Sequence, residues 1–209
     1  MVLDMTGAYT ELCHIGKLCQ TDKTPYGDTH KHRHPYTGFY SMLLAPLRNK
    51  PIRFAEIGIA AGNSVLLWYN YFPNANLYFF DRCPLSIKAV EDMKFPKPPY
   101  LGIMDVAADG DVSRALNEAS GEQYDVILDD SSHTFEHQIR IIKEAWPLLK
   151  SGGYILVEDI FRSRAESDYE KELDEILDEC TEAYFVVCNH EERFSPGWNN
   201  DKILVLCKH

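Results

Sequence analysis

The chain has 209 residues, a formal net charge of −11, 45% hydrophobic and 25% charged residues, which fits one large globular domain with an adequate core and no compositional sign of disorder. The acidic excess argues against a nucleic-acid partner, because such binding rests on lysine and arginine neutralising phosphates, and it favours a small, neutral or metal-bridged substrate. No apolar run approaches the roughly 20 residues that span a bilayer and the N-terminus lacks a secretory apolar region, so no membrane partner and a cytoplasmic location are expected.

Residues 1–50 read as one or two helices around a polar segment, 20–34, that contains Thr21-Asp-Lys23 and the run Asp28-Thr-His-Lys-His-Arg-His-Pro-Tyr36. From residue 52 short apolar runs alternate with helical stretches, the pattern of a parallel sheet covered by helices. Strands are expected near 52–57, 76–80, 100–103, 124–128 and 154–157, with helices at 63–71, 85–93, 111–119, 134–149 and 166–179. Gly152-Gly153 reads as a helix stop directly before the fifth strand. The runs 183–188 and 202–207, joined by a polar loop with proline and glycine, read as a closing antiparallel pair. The expected organisation is a single domain over 1–209, with 1–50 as an N-terminal helical cap and substrate-covering segment and 51–209 as the core. The six cysteines, Cys13, Cys19, Cys83, Cys180, Cys188 and Cys207, contain no C-x-x-C pair and read as reduced packing residues. The acidic stretch 166–179 reads as a solvated face.

Three acidic clusters follow strands in a fixed order. Glu56-x-Gly58-x-x-x-Gly62 sits between a strand and a helix, where glycines let backbone turn sharply and approach a ligand. Its spacing matches neither the dinucleotide fingerprint nor a P-loop. Asp81 ends the second strand, from which a carboxylate can take both hydroxyls of a ribose, and Asp105 follows the third. Asp130-Ser-Ser-His133 follows the fourth strand and Glu158-Asp159 ends the fifth. If those strands are neighbours, several carboxylates converge, and either a metal or a shared proton would hold them together. An all-oxygen set suits Mg²⁺, with Mn²⁺ or Ca²⁺ as alternatives, better than zinc. The competing reading is that Asp129, Asp130 and Asp159 cap following helices.

The ordered set resembles the class I S-adenosylmethionine-dependent methyltransferases over roughly residues 50–209. The resemblance implies a Rossmann-like α/β fold with a central, mostly parallel sheet, a terminal antiparallel hairpin and helices on both faces. It implies that Gly58 and Gly62, with Glu56 and Ser64 nearby, abut the methionine part of the cofactor, that Asp81 with Arg82 beside it holds the ribose, and that Asp105 reaches adenine. Asp130-Ser-Ser-His133, Glu158-Asp159, Thr21-Asp-Lys23, His34-Pro-Tyr36 and Trp68-x-x-Tyr71-Phe-Pro73 further resemble the metal-dependent sugar O-methyltransferases of macrolide deoxysugars, a group similar to proteins called cephalosporin hydroxylases. By that resemblance Asp130, Glu158 and Asp159 ligate the metal and His133 is the general base. Lys23, His34 and Tyr36 are assigned to the acceptor pocket, while His30 and His32 read as solvated rather than as a second metal site.

The chemistry implied is transfer of a methyl group from a sulfonium to a sugar hydroxyl, in a small molecule or a glycan. Catechol-type methyltransferases share the metal layout but carry a lysine at the base position and an asparagine in the last pair. His133 and Asp159 stand there in this chain, which favours a sugar over a catechol or other small diol. A cofactor-binding protein without catalysis is the reading from another class. An oxidoreductase lacks the two-histidine, one-carboxylate triad that iron chemistry would need. Homo-oligomerisation, or a place as one domain of a larger glycan-assembly polypeptide, is compatible with the sequence.

Overall fold

The structure, a computed structural model, describes residues 1–28 and 32–209, so His30 lies outside the described residues. Its elements are β1 (Val2–Asp4), α1 (Glu11–Cys19), α2 (Tyr36–Leu43), β2 (Arg53–Ile57), α3 (Asn63–Tyr71), β3 (Asn76–Asp81), α4 (Pro84–Glu91), β4 (Tyr100–Ile103), α5 (Asp111–Ser120), β5 (Tyr124–Asp129), α6 (Phe135–Ala145), β6 (Leu149–Ile160), α7 (Glu166–Glu172), α8 (Asp174–Leu177), β7 (Cys180–Asn189) and β8 (Lys202–Lys208), with 3₁₀ turns at Ala45–Leu47 and Trp146–Leu148.

The strands form one sheet in the order β1-β7-β8-β6-β5-β2-β3-β4. β4, β3, β2, β5 and β6 are parallel, β8 is antiparallel to β6 and β7, and β1 adds in parallel to β7. The chain leaves β2 towards β3 on one side and returns to β5 on the other. That reversal opens a crevice at the carboxyl ends of the strands, where open α/β sheets bind ligands.

Both faces of the sheet are covered, so its strands are almost continuously apolar. Side chains alternate between faces along each strand. Phe54, Val126, Leu128 and Leu156 pack with Leu12, Tyr40, Val65 and Trp68 on one face. Ala55, Ile57, Ile127, Ile155 and Val157 pack with Val112, Leu116, Ile139 and Ile142 on the other. Fully burying each large apolar side chain contributes ~1.5–3 kcal/mol, and both layers are continuous through the five-strand parallel run. The N-terminal helices α1 and α2 therefore share a face with α3, above the carboxyl ends of β2, β5 and β6.

Three local expectations are corrected. The helix expected over 134–149 stops at Ala145 and passes through a 3₁₀ turn, and Gly152-Gly153 is not its stop. Gly152 (φ +73°) instead lies inside β6, where pairing with β5 jumps from Tyr124↔Leu149 to Val126↔Tyr154. The stretch 166–179 divides into α7 and α8 at buried Leu173, and buried Tyr169 anchors α7, so this segment is not solvated throughout. β1 is an added edge strand that no alternation in the sequence announces; its pairing with β7 is extended by the N-terminal ammonium, which donates to the Phe185 carbonyl at 2.6 Å.

Candidate active site

The loop after β2 is drawn tightly across the crevice. Gly58 N–H donates to the Phe80 carbonyl at 2.8 Å, and Asp130 N–H donates to the Ile57 carbonyl at 2.9 Å. Gly58 has φ +92°, and a Cβ there would stand 2.2 Å from the Asp130 carbonyl oxygen. The glycine is thus required by the close approach of the β5–α6 loop as well as by its own left-handed backbone. Gly62, at φ +85°, precedes α3, and a Cβ there would meet Val90 and Met93 side chains, both at 2.7 Å. Asp81 gathers the loop from the neighbouring strand: its carboxylate accepts from Ile59 N at 3.1 Å, Ala60 N at 3.2 Å and Cys83 N at 2.8 Å.

These residues border an open cleft of about 520 Å³, counted out to solvent, lined by Gly58, Asp81, Arg82, Asp105, Ser131 and His137 among others. Four of the expected cofactor contacts, Gly58, Asp81, Arg82 and Asp105, are therefore brought together. Asp105 is exposed and accepts from Ala107 N at 3.0 Å, while Asp111 takes the Asp105 N–H instead. Glu56, Gly62 and Ser64 do not line the cleft; Glu56 and Ser64 are buried behind the loop. Ser131, Ser132 and His137 line or flank it although the sequence reading gave them no role. The Ser132 hydroxyl pairs with His137 Nδ1 at 2.7 Å.

Beside the cleft stands an acidic cluster whose layout follows from strand parity. Phe54 and Glu56 fall on one face, as do Leu128 and Asp130, and Leu156 and Glu158. The register Glu56↔Leu128↔Leu156 sets them side by side. All three carboxylates thus meet the N-terminal segment, and Lys23 fills the space between them. Its Nζ lies 2.5 Å from Asp130 Oδ2 and 3.3 Å from Glu56 Oε1, and it also bonds Glu158 Oε2. Tyr40 Oη donates to Glu158 Oε1 at 2.7 Å, and Tyr36 Oη donates to Asp159 Oδ1 at 2.6 Å. His34 Nε2 is 3.7 Å from the same Asp159 oxygen, and His133 Nε2 is 3.6 Å from Asp159 Oδ2.

Burial dominates the electrostatics. Alone it would push the Lys23 ammonium down, but the Asp130, Glu158 and Glu56 charges outweigh it and hold the lysine well above its usual value. Burial raises Glu158 well above the carboxylate range, with Lys23 opposing. Glu56, fully buried and without a hydrogen bond of ordinary geometry, is pushed up to about 7 by burial, opposed by the Lys23 charge and by Ser64 and Trp68. Burial, then the Asp159 and Glu158 charges, raise Tyr36, which keeps its phenol a donor.

Asp130, His133 and Asp159 each offer one ligand atom, all within 4.8 Å of one another, a spacing that suits a metal ion. Among the described residues no hydrogen bond reaches Asp130 Oδ1 or Asp159 Oδ2, so each carboxylate has one oxygen fixed by the N-terminal segment and one available. Glu158 stands apart, both oxygens occupied by Lys23 and Tyr40. Lys23 and Tyr36, read from the sequence as acceptor contacts, are buried under the carboxylates, and His34 is buried with its ring stacked on Tyr36 at 4.9 Å. Helix capping does not account for the acids: Thr134 precedes α6 and Ala165 precedes α7, while Asp129 accepts from Ser131 N and Oγ to close a turn. His133 and Asp159 both have φ +57°, a conformation uncommon outside glycine that Asp and His tolerate better than most and that collects at functional sites.

A Rossmann-like sheet with a glycine loop, a strand-end acid beside it and an acid–histidine cluster at the crevice is the layout of a methyltransferase-type domain. The chain belongs to the methyltransferase-domain family, whose model matches residues 55–160, half of its length. Among curated proteins it is similar to the 8-demethyl-8-(2-methoxy-α-L-rhamnosyl)-tetracenomycin-C 3'-O-methyltransferase of Streptomyces olivaceus, with 28% identity over 138 residues, 61% of this chain and 33% of that protein. Similarity to the L-olivosyl-oleandolide 3-O-methyltransferase of Streptomyces antibioticus is 28% over 142 residues, 62% of this chain and 33% of that protein. The chain thus spans about a third of the length of the curated relatives it matches. Among solved structures, the MycE methyltransferase from the mycinamycin pathway, in complex with Mg and SAH, superposes with a TM-score of 0.69 at 17% identity, covering 95% of this chain and 55% of that one. This likeness establishes the shared fold.

Proposed function

We propose that the protein is an S-adenosylmethionine- and divalent-metal-dependent O-methyltransferase that methylates a hydroxyl of a sugar, a deoxysugar such as rhamnose in a glycoside or glycan. The observation that carries this reading is the convergence of Asp130, His133 and Asp159 directly beside the Gly58–Asp81 cleft. Support for the sugar comes from the relatives, whose names specify rhamnosyl and olivosyl acceptors.

In this reading Asp81 takes the ribose hydroxyls, Arg82 and Asp105 border the adenosine end, and Gly58 lets the reactive end approach the acid cluster. Glu56, Gly62 and Ser64 act from behind the loop. The unpaired oxygens of Asp130 and Asp159 are hard donors that suit Mg²⁺, with Glu158 a ligand only if it exchanges its Lys23 contact. A bound Mg²⁺ would supply charge that stabilises a forming alkoxide. His133 stands at the open edge of the cluster and accepts the proton of the sugar hydroxyl, with Asp159 close enough to favour the resulting imidazolium. Such general-base help is worth ~10²–10⁴-fold.

The test is calorimetric titration with S-adenosylmethionine and Mg²⁺, followed by methyl transfer to rhamnosides, in wild type and His133→Ala. The variant should bind cofactor as the wild type does while losing about 10²-fold or more in turnover. Full activity in the variant removes His133 from the base role. Undiminished wild-type turnover after exhaustive chelation removes the metal.

A further inference from the structure

Gln138, a polar side chain that the reaction described above does not use, is 2% exposed on α6, among the apolar residues that cover the sheet face away from Tyr36 and Tyr40. Its Nε2 donates to the Glu158 carbonyl at 3.1 Å, and its Oε1 accepts from Tyr169 Oη. A carbonyl only accepts, so the amide sits one way round, nitrogen towards Glu158 and oxygen towards Tyr169. Burial raises the Tyr169 phenol, which keeps its hydroxyl a donor. The ring is fixed in turn, edge-on against Phe135 at 4.9 Å and Phe185 at 5.4 Å.

The bond to Glu158 falls where the sheet gives least support. Pairing of β6 with β5 ends at Asp129↔Val157, and pairing with β8 passes from Val157↔Leu204 to Ile160↔Lys202. Among the described residues, Glu158 and Asp159 therefore have no register partner on either side. The Glu158 carbonyl belongs to the planar peptide group that joins these two residues. Turning that plane changes φ of Asp159, which stands at +57°, a conformation that a non-glycine residue keeps only when its surroundings hold it there. One face of the sheet thus fixes the Asp159 carboxylate through Tyr36, and the other fixes its backbone through Gln138.

We infer that Gln138, backed by Tyr169, is a positioning residue for metal binding: it locks the Glu158–Asp159 peptide so that Asp159 keeps its place beside Asp130 and His133. This rests on the proposed metal site. The amide suits the task because it donates to one partner and accepts from the other at once, whereas a carboxylate has no proton to donate and an aliphatic chain offers neither group. The buried tyrosine of α7, inside an otherwise acidic stretch, is then the outer end of a support that reaches the candidate site from behind the sheet.

The experiment measures Mn²⁺ affinity by electron paramagnetic resonance and S-adenosylmethionine affinity by calorimetry for wild type, Gln138→Met, Tyr169→Phe and Leu173→Val. Gln138→Met keeps an unbranched chain of similar length and removes both bonds. It should weaken Mn²⁺ binding about 10–100-fold, the usual effect of losing a partner that orients a metal ligand, with S-adenosylmethionine affinity unchanged. Tyr169→Phe keeps the ring and frees only the amide oxygen, so its loss should be smaller, about two- to tenfold. Leu173→Val thins the packing of a buried residue just after α7 without touching the amide; it should lower Tm and leave Mn²⁺ affinity as in the wild type. Unaltered Mn²⁺ affinity in folded Gln138→Met, or equal weakening in Leu173→Val, overturns the inference and leaves the metal site standing. If Gln138→Met does not fold, Tyr169→Phe decides, and unchanged Mn²⁺ binding there overturns the inference. A wild type that binds no Mn²⁺ overturns the metal site and the inference with it.

Discussion

Replacing Lys23 with methionine keeps the buried volume and removes the cation that bonds Glu56, Asp130 and Glu158. At an effective dielectric of about 20, an ammonium 2.5 Å from Asp130 and 3.3 Å from Glu56 has gross attractions of roughly 7 and 5 kcal/mol, largely offset by desolvation. Breaking such a buried pair by removing one partner costs ~3–5 kcal/mol because the other charges stay behind. For a chain of this size that lowers Tm by about 10 °C or somewhat more. The carboxyl groups should respond by binding protons, which fixes the sign of the pH dependence. Glu56 already sits at about 7 in the folded protein against 4.5 ordinarily. A carboxyl with its folded pKa raised lends stability fully below the unfolded value and loses it as pH rises through the folded one. Without Lys23 those folded values rise further, so the deficit of Lys23→Met should be smaller at pH 5 than at pH 8 and still be growing above about 7. Urea unfolding of wild type and variant at both pH values measures it. A deficit under about 1 kcal/mol at pH 8, or one independent of pH, would refute the view that Lys23 offsets the charge of this buried acid cluster.

Gly58→Ala should be among the most damaging single methyl additions. Its Cβ meets backbone at 2.2 Å rather than a flexible side chain, so the β5–α6 loop must move, at a cost of several kcal/mol. Thermal unfolding should fall accordingly, and Gly62→Ala should cost less because Val90 and Met93 can shift. Tyr36→Phe removes the donor at 2.6 Å from Asp159 while keeping the ring. It should weaken Mn²⁺ affinity, read by electron paramagnetic resonance, about 10–100-fold; S-adenosylmethionine affinity should not change. Unaltered Mn²⁺ affinity would show that Tyr36 does not orient Asp159.

Much of the frame can be read from the sequence for a definite reason. Parallel strands covered on both faces read as apolar runs, and four of them carry an acid at or near the carboxyl end: Glu56, Asp81, Asp129 and Glu158. The order of those acids therefore maps the sheet edge. The contacts of the N-terminal segment are not legible in the same way. Tyr36 and Tyr40 stand four apart and so share a helix face, but whether that face meets apolar side chains or carboxylates depends on which strand ends lie beneath it. The family resemblance assigns Lys23 to the acceptor pocket, and a lysine in a polar segment ordinarily reaches solvent, whereas this one is buried. Its actual place needed the parity of three strands taken together: Glu56, Asp130 and Glu158 each fall two residues beyond a side chain packed on the same face. β1 escaped notice because three residues carry no measurable period.

The Glu158-Asp159 pair shows how one irregularity lets adjacent acids serve one site. Along a regular strand Glu158 and Asp159 would point to opposite faces, and only one could join Asp130. β6 pairs with β8 in steady register as far as Val157↔Leu204, then resumes at Ile160↔Lys202, so three steps on one strand oppose two on the other. The extra residue is a bulge, a device that re-aims side chains near active sites, and Asp159 at φ +57° lies within it. Glu158 keeps the parity of Leu156 and meets Lys23 and Tyr40. Asp159, which should follow Val157 to the far face, is turned back to meet Tyr36 and His133. His133, also at φ +57°, is turned towards it from the β5–α6 loop. The two left-handed residues thus face each other across the gap in which Asp130 offers its remaining oxygen. Strand parity gathers the buried acids around Lys23, and the bulge brings Asp159 and His133 together beside the cleft.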